Sequence, residues 1–297
     1  MRAFAILISL VLSLAGAFPA DAQTRLLHQE RSLYRNIFVT QDGQERCMLF
    51  RYPRPNGRQS CKLLNNPSKL IFDYTQMMLS GLYLNPNPQK ILIIGEGGGT
   101  IPTALQSIVP NAQIDVVEID AAVDRVARQF FDLKPAAKTN IIIEDGRVFI
   151  KRQINQMPNY DMVLLDAFAD DYIPEHLLTR EFMEEVKRIL KPDGVIVGNT
   201  FSSSALYDYE SVTYAAAFGT YFNLKLGNRI VLAKLGGLPP IEQVRMNAAT
   251  VEPALSKLGT GQSFLLPLIT TKTDWNPNTR VLTDQFSPSN LLNALPR

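Results

Sequence analysis

The segment from Ile91 to Thr103, ILIIGEGGGTIPT, limits what this chain can fold into more than any other stretch. Four apolar residues, Ile91-Leu92-Ile93-Ile94, run directly into Gly95-Glu96-Gly97-Gly98-Gly99. A short unbroken apolar run suits a parallel strand buried on both faces. Glycines let the chain turn at positive φ and let a ligand approach where a Cβ would stand. A helix beginning after such a turn offers unpaired N–H groups and the positive end of its dipole to a nucleotide. Glycine-rich turns also serve plain strand-to-helix packing, so these residues alone leave nucleotide binding open.

The rest of the chain is consistent with that turn being central. Strand-like runs at 91–95, 114–119, 140–144, 161–166 and 194–199 alternate with helical patterns at 101–109, 121–131, 146–155 and 179–190. Short apolar runs separated by helices predict a doubly wound, Rossmann-like α/β sheet, with its ligand at the carboxyl ends of the strands. Two further runs at 221–226 and 229–233, separated by Gly227-Asn228, predict a closing antiparallel hairpin. Upstream, 23–32 reads as a polar lead-in and the stretch from Tyr34 onward, with turns at Gln41-Asp42-Gly43 and Asn56-Gly57, as a small antiparallel β unit of about three strands, followed by an amphipathic helix within 67–84. The expected organisation is a leader at 1–22, a β unit at 23–66, a nucleotide-binding domain at 67–240 and a helical and irregular tail at 241–297.

The leader carries one cation, Arg2, an apolar run from Ala3 to Ala20, and the small-residue end Ala20-Asp21-Ala22. That pattern predicts a secretory signal peptide cut before Gln23 and a periplasmic or secreted protein, with no stable membrane insertion afterwards. An uncleaved anchor is the alternative, because the run is nearly long enough to span a bilayer. Export permits a disulfide between the two cysteines, Cys47 and Cys61, which flank a turn-forming Pro53-Arg54-Pro55-Asn56-Gly57. Two buried free thiols are the other reading. His28 and His176 are the only histidines, so no ligand-spaced metal cluster is expected. A net charge of +2 points to no nucleic-acid partner.

Acidic residues recur where strands should end. Glu118 falls 23 positions after Gly95, close to the spacing at which a carboxylate accepts ribose hydroxyls. Asp145-Gly146 follows the next strand, where Asp145 can meet an adenine amino group, cap a helix, or do both. Asp166 ends the strand after that and is placed to take a proton from an amine nucleophile. Asp170 and Asp171 read as a solvated turn. His176 reads more readily as a loop histidine than as an acid/base, and Tyr207, Tyr209 and Tyr214 as core contacts or pocket walls.

These motifs, GEGGGT, VVEID, EDGRVF and YDMVLLDAF, with IPEHLLTREF, KPDGVIVGN and VLTDQF, resemble those of the spermidine synthase family, the polyamine aminopropyltransferases, and in particular its divergent bacterial branch. The resemblance runs from about Ser32 to Phe286. It implies a class I methyltransferase-type sheet and a bound co-substrate, decarboxylated S-adenosylmethionine or S-adenosylmethionine itself. Gly95, Gly97, Gly99, Glu118, Asp145 and Gly146 would hold the nucleotide, and Asp166 would deprotonate an amine or other nucleophilic acceptor. A homodimer is implied as well, since family members often dimerise. Methyl transfer and nucleotide binding without catalysis are the alternatives. The departures gather on the polyamine side: Gly98 where the family has aspartate, Arg35 where it has glutamine, Tyr74-Thr75-Gln76 where it has Tyr-His-Glu, and Ala169 for the second aspartate of its Asp-x-x-Asp loop. A diamine is a dication that needs carboxylates, and a nearby arginine opposes it.

Overall fold

A computed structural model describes residues 24–53, 57–157, 159–168 and 172–295. The expectations for the leader and for Ala169, Asp170 and Asp171 lie outside the described residues, as does most of the turn between the cysteines.

Four strands form an antiparallel sheet in sequential order: β1 (Arg25–Arg31), β2 (Asn36–Asp42), β3 (Glu45–Leu49) and β4 (Arg58–Leu63). The stretch read as a lead-in is thus the edge strand β1. It buries little of either face, which is why its sequence shows no apolar alternation. Cys47 and Cys61 stand directly opposite one another on β3 and β4 and are joined as a disulfide. The predicted helix within 67–84 is short, α1 (Asp73–Met78), and tightens at once into a 3-10 turn at Leu79–Tyr83. Ser80 Oγ donates to the carbonyl of Met77 there, diverting a backbone acceptor to a side chain.

The remainder alternates as the sequence predicts: β5 (Lys90–Ile94), α2 (Thr100–Ile108), β6 (Gln113–Glu118), α3 (Ala121–Phe130), β7 (Thr139–Ile143), α4 (Gly146–Gln153), β8 (Tyr160–Leu165), α5 (Arg180–Ile189), β9 (Leu190–Phe201), α6 (Leu206–Phe218), β10 (Phe222–Lys225), β11 (Asn228–Lys234) and α7 (Ile241–Leu255). Two short helices follow, α8 (Gln262–Leu265) and α9 (Ser289–Ala294). The seven strands lie in the order β10-β11-β9-β8-β5-β6-β7. The five from β5 to β9 are parallel, and the hairpin of β10 and β11 closes the edge antiparallel.

Both faces of the sheet are covered, and β5 shows how. Ile91 and Ile93 enter the core shared with α1, α2 and α7, whereas Leu92 and Ile94 enter the core shared with α4 and α5. Alternate residues of a strand face opposite sides, so an unbroken ILII feeds two cores at once. Strand order reverses at β5, which pairs with β6 on one side and β8 on the other. Open α/β sheets form their ligand crevice at such a point.

The N-terminal sheet packs Ile37, Val39, Met48 and Phe50 against Ala122, Val123 and Val126 of α3. It therefore sits over the carboxyl edge of the large sheet. Among the described residues, no helix is long and apolar enough to cross a membrane. The disulfide closes a chain separation of 14 residues inside the sheet that roofs this edge. Replacing both cysteines by alanine is expected to lower unfolding stability by about 2–4 kcal/mol, read from urea denaturation of oxidised wild type and the double variant.

Candidate active site

A cavity of about 350 Å³ opens between the two sheets, at the carboxyl ends of β5, β6, β7 and β8. Every sequence-predicted site residue except Gly99 lines it: Gly95, Gly97, Glu118, Asp145, Gly146 and Asp166. Gly99 lies one turn behind, in left-handed conformation at the start of α2.

The glycines serve packing first. A Cβ on Gly95, whose φ is +100°, would stand 2.3 Å from the backbone carbonyl oxygen of Asp166. The turn after β5 and the chain leaving β8 therefore touch backbone to backbone, which only glycine permits. At Gly98 a Cβ would lie 2.8 Å from the Cβ of Ser60, and the Gly98 N–H donates to Ser60 Oγ at 2.8 Å. The space an aspartate side chain would fill is taken by β4 of the N-terminal sheet.

Glu118 is buried at the end of β6. Its two carboxylate oxygens accept one backbone N–H each, from Asp120 at 2.9 Å and from Glu96 at 3.1 Å. A carboxylate oxygen can accept more than one hydrogen bond, so each retains capacity toward the cavity. Burial raises the Glu118 pKa, opposed by the two backbone donors and by the charge of Arg35.

Asp145 caps α4 by accepting the N–H groups of Arg147 and Val148 at 3.0 and 2.9 Å. Its other oxygen accepts His176 Nε2 at 2.9 Å, and this bond with His176 holds the Asp145 carboxyl below the usual range. His176, read from sequence as a loop histidine, therefore lines the cavity paired to a site carboxylate. Arg147 sets that loop: it forks onto Glu185 and Asp284 and donates to the His176 carbonyl at 3.1 Å.

Asp166 follows β8 directly. Its carboxyl opens to the cavity and is otherwise enclosed by protein, and burial lifts its pKa to about 7. The opposing influence is Asn199 Nδ2, which donates to Oδ1 at 2.8 Å; the charge of Glu118 adds to the rise. Asn228 Nδ2 in turn donates to Asn199 Oδ1 at 3.0 Å. That bond commits the oxygen of Asn199 to Asn228 and leaves its NH₂ for Asp166. Neither asparagine stood out in the sequence, because they come from β9 and β11, and only strand pairing brings them to β8.

Glu96 was also not singled out. It is 95% buried, neither carboxyl oxygen has a hydrogen-bond partner, and burial followed by the charges of Asp124 and Glu118 lifts its pKa to about 9. It is therefore protonated at neutral pH. Tyr207, Tyr209 and Tyr214 line none of the main cavity. Tyr207 and Tyr214 are core residues, and Tyr209 packs on Phe286. Among the described residues, Glu45, Cys47 and Cys61 form the one cluster with metal-ligand spacing, and its two sulfurs are bonded to each other.

Residues 71–226 match the family described as spermine/spermidine synthase domain. Over 292 residues the chain is 41% identical to the polyamine aminopropyltransferase of Vibrio vulnificus, covering 97% of each chain. The fold resembles a probable spermidine synthase from Corynebacterium glutamicum, with a TM-score of 0.65 at 19% identity over 86% of this chain and 98% of that one. It also resembles human methyltransferase-like protein 13 in complex with SAH, with a TM-score of 0.58 at 24% identity over 73% of this chain and all of the other. Both structural likenesses establish the fold, a class I methyltransferase-like α/β sheet.

Removing the donor that restrains the rise at Asp166 gives a direct check on this geometry. In Asn199→Leu the carboxyl of Asp166 should titrate about one pH unit or more above its wild-type midpoint near 7. Carbon-13 NMR of labelled aspartate, assigned through Asp166→Asn, measures both midpoints.

Proposed function

Because this chain belongs to the spermine/spermidine synthase family, we propose that it transfers an aminopropyl group from decarboxylated S-adenosylmethionine to an amine. The observation that carries this reading is Asp166. A carboxylate with a pKa of about 7 stands at a strand end, in one cavity with the two carboxylates suited to an adenosine.

The residues present fit such a nucleotide. Glu118 has acceptor capacity for ribose hydroxyls, and Asp145 can accept an adenine amino group. Ile94, Val117, Ile119 and Leu177 supply apolar surface for a flat base. When bound, the sulfonium nucleotide supplies an electrophilic carbon and a neutral thioether leaving group. The protein's part is to hold an amine and remove its proton. In its ionised form Asp166 accepts a proton from the acceptor nitrogen, held by the Asn199 amide on one side and open to the cavity on the other. Tyr74 stays protonated beside it, since burial and then the charge of Asp166 raise its pKa well above the usual range.

Methyl transfer, or nucleotide binding without catalysis, is less favoured. The relative matched along nearly the full chain carries the name aminopropyltransferase, and a near-neutral carboxylate has no evident use in a passive binding site. Export belongs to the same proposal: the leader-like pattern of 1–22 and the Cys47–Cys61 disulfide both suit an oxidising compartment.

Calorimetry with decarboxylated S-adenosylmethionine, S-adenosylmethionine and methylthioadenosine tests the nucleotide part. Binding is expected for the decarboxylated form and for methylthioadenosine, with a loss of at least about tenfold in Glu118→Ala; absence of binding by all three would sink the reading.

The pH dependence tests the role of Asp166. Its folded pKa is raised and its working form is ionised, so turnover should rise with pH through about 7 and level off above. Asp166→Asn should abolish that limb and lower kcat by roughly 10²–10⁴-fold with nucleotide affinity nearly unchanged.

A further inference from the structure

The amide that donates to Asp166 belongs to a pair built across two strands. β9 and β11 run antiparallel, with Phe201 opposite Asn228, Thr200 opposite Arg229 and Asn199 opposite Ile230. Asn199 and Asn228 are therefore diagonal neighbours on one face, within side-chain reach of each other. Both line the cavity. Successive residues of a strand face opposite ways, so Thr200 and Arg229 point to the other side of the sheet. There Arg229, fully buried, donates from Nε to Thr200 Oγ1 at 2.6 Å and from Nη2 to Glu210 of α6 at 3.1 Å. Glu210 is equally buried, and a one-residue slip between β9 and β11 would part the two charges. The ion pair on one face thus pins the register that sets Asn228 against Asn199 on the other.

The two amides and the carboxyl form a chain with a polarity. An ionised carboxylate only accepts hydrogen bonds, so Asn199 meets it with its NH₂ and turns its oxygen the other way. Asn199 Nδ2 reaches Asp166 Oδ1 at 2.8 Å, and Asn228 Nδ2 meets Asn199 Oδ1 at 3.0 Å. Reversed, Asn199 would present its oxygen to Asp166, which only a protonated carboxyl can satisfy. A donor at position 228 therefore selects the ionised form. The turn that carries this donor is itself tied down. Ser202 Oγ donates to the Gly227 carbonyl at 2.6 Å, and the Leu226 N–H donates to the Asn228 carbonyl at 2.9 Å.

We propose that Asn228 is a positioning residue for Asp166: its donation to Asn199 keeps the NH₂ of that amide on the carboxylate and the base ready to accept a proton. The role of Asp166 as base rests on the aminopropyl-transfer reading, whereas its coupling to Asn228 does not. Among the described residues, titratable groups from four other parts of the fold bear on Asp166. The charge of Glu118 on β6 raises its pKa, and Tyr74 on α1 stays protonated beside it. Arg35, just before β2, binds its loop at the Phe168 carbonyl, and Glu96, in the turn that touches the Asp166 backbone, is protonated. Replacing Asn228 by an uncharged residue leaves all of these in place. The closing hairpin of β10 and β11 is thereby part of what prepares the base.

Carbon-13 NMR of labelled aspartate reads the Asp166 midpoint without turnover, in wild type, Asn228→Leu, Asn199→Leu and the double variant, with circular dichroism confirming folding of each. Asn228→Leu should raise the midpoint by about half a pH unit or more, and the rising limb of turnover should move with it. In the Asn199→Leu background the same change should add less than about 0.2 unit, because Asn228 acts through that amide. Asn228→Asp, nearly the same shape, is the second variant. It puts a carboxylate where the donor stood, competing for the Asn199 NH₂, and should raise the midpoint further than Asn228→Leu does. An unchanged midpoint in Asn228→Leu, equal rises with and without Asn199, or no rise in Asn228→Asp would each overturn the proposal. Midpoints that shift as expected in a protein that transfers no aminopropyl group would sink the reaction assigned to Asp166 and leave its coupling to Asn228 standing.

Discussion

The backbone contact between Gly95 and Asp166 is the constraint on which the site depends. A side chain at position 95 would collide with the Asp166 carbonyl, so β5 and the strand that leads into Asp166 can leave the sheet side by side only if one of them turns on glycine. That closeness places the Asp166 carboxyl over the turn. It also brings it near enough to Glu118 for the two charges to influence one another. The near-neutral pKa of Asp166 follows from burial at this crossing point, with a single amide donor to offset it.

The N-terminal sheet is the second determinant. Its disulfide-linked strands carry Ser60 onto the Gly98 N–H, and its apolar face rests on α3. It therefore roofs the cavity, and Ser60 leaves no room for a side chain at Gly98. The same roof delivers Arg35 beside the loop that follows Asp166.

Much of this was legible beforehand, for physical reasons that differ by element. The buried parallel strands announce themselves because ILII, VV and VLL runs must satisfy two cores at once, and the acidic residues at their ends mark the crevice. Edge strand β1 was not legible, because a strand that buries little needs no apolar pattern. The helix after residue 67 was overestimated: its apolar spacing is real, but Ser80 and the tight packing of Leu79 to Tyr83 convert its second half to a 3-10 turn. His176 was underestimated because nothing in Pro-Glu-His-Leu shows that Arg147, anchored by Asp284 from the far end of the chain, will hold that loop against Asp145.

The sequence by itself determined the alternation of strand and helix, the glycine turn, the cysteine pair and the identity of the strand-end carboxylates, since each is a local consequence of residue type and spacing. Tertiary structure alone decided which groups modify those carboxylates. Asn199 and Asn228 reach Asp166 through strand pairing, Ser60 and Arg35 arrive with a separate sheet, and Glu96 loses its charge by burial. Hydrogen-bond partners and desolvation depend on what lies across space, and residues more than a hundred positions apart meet only when the chain has folded.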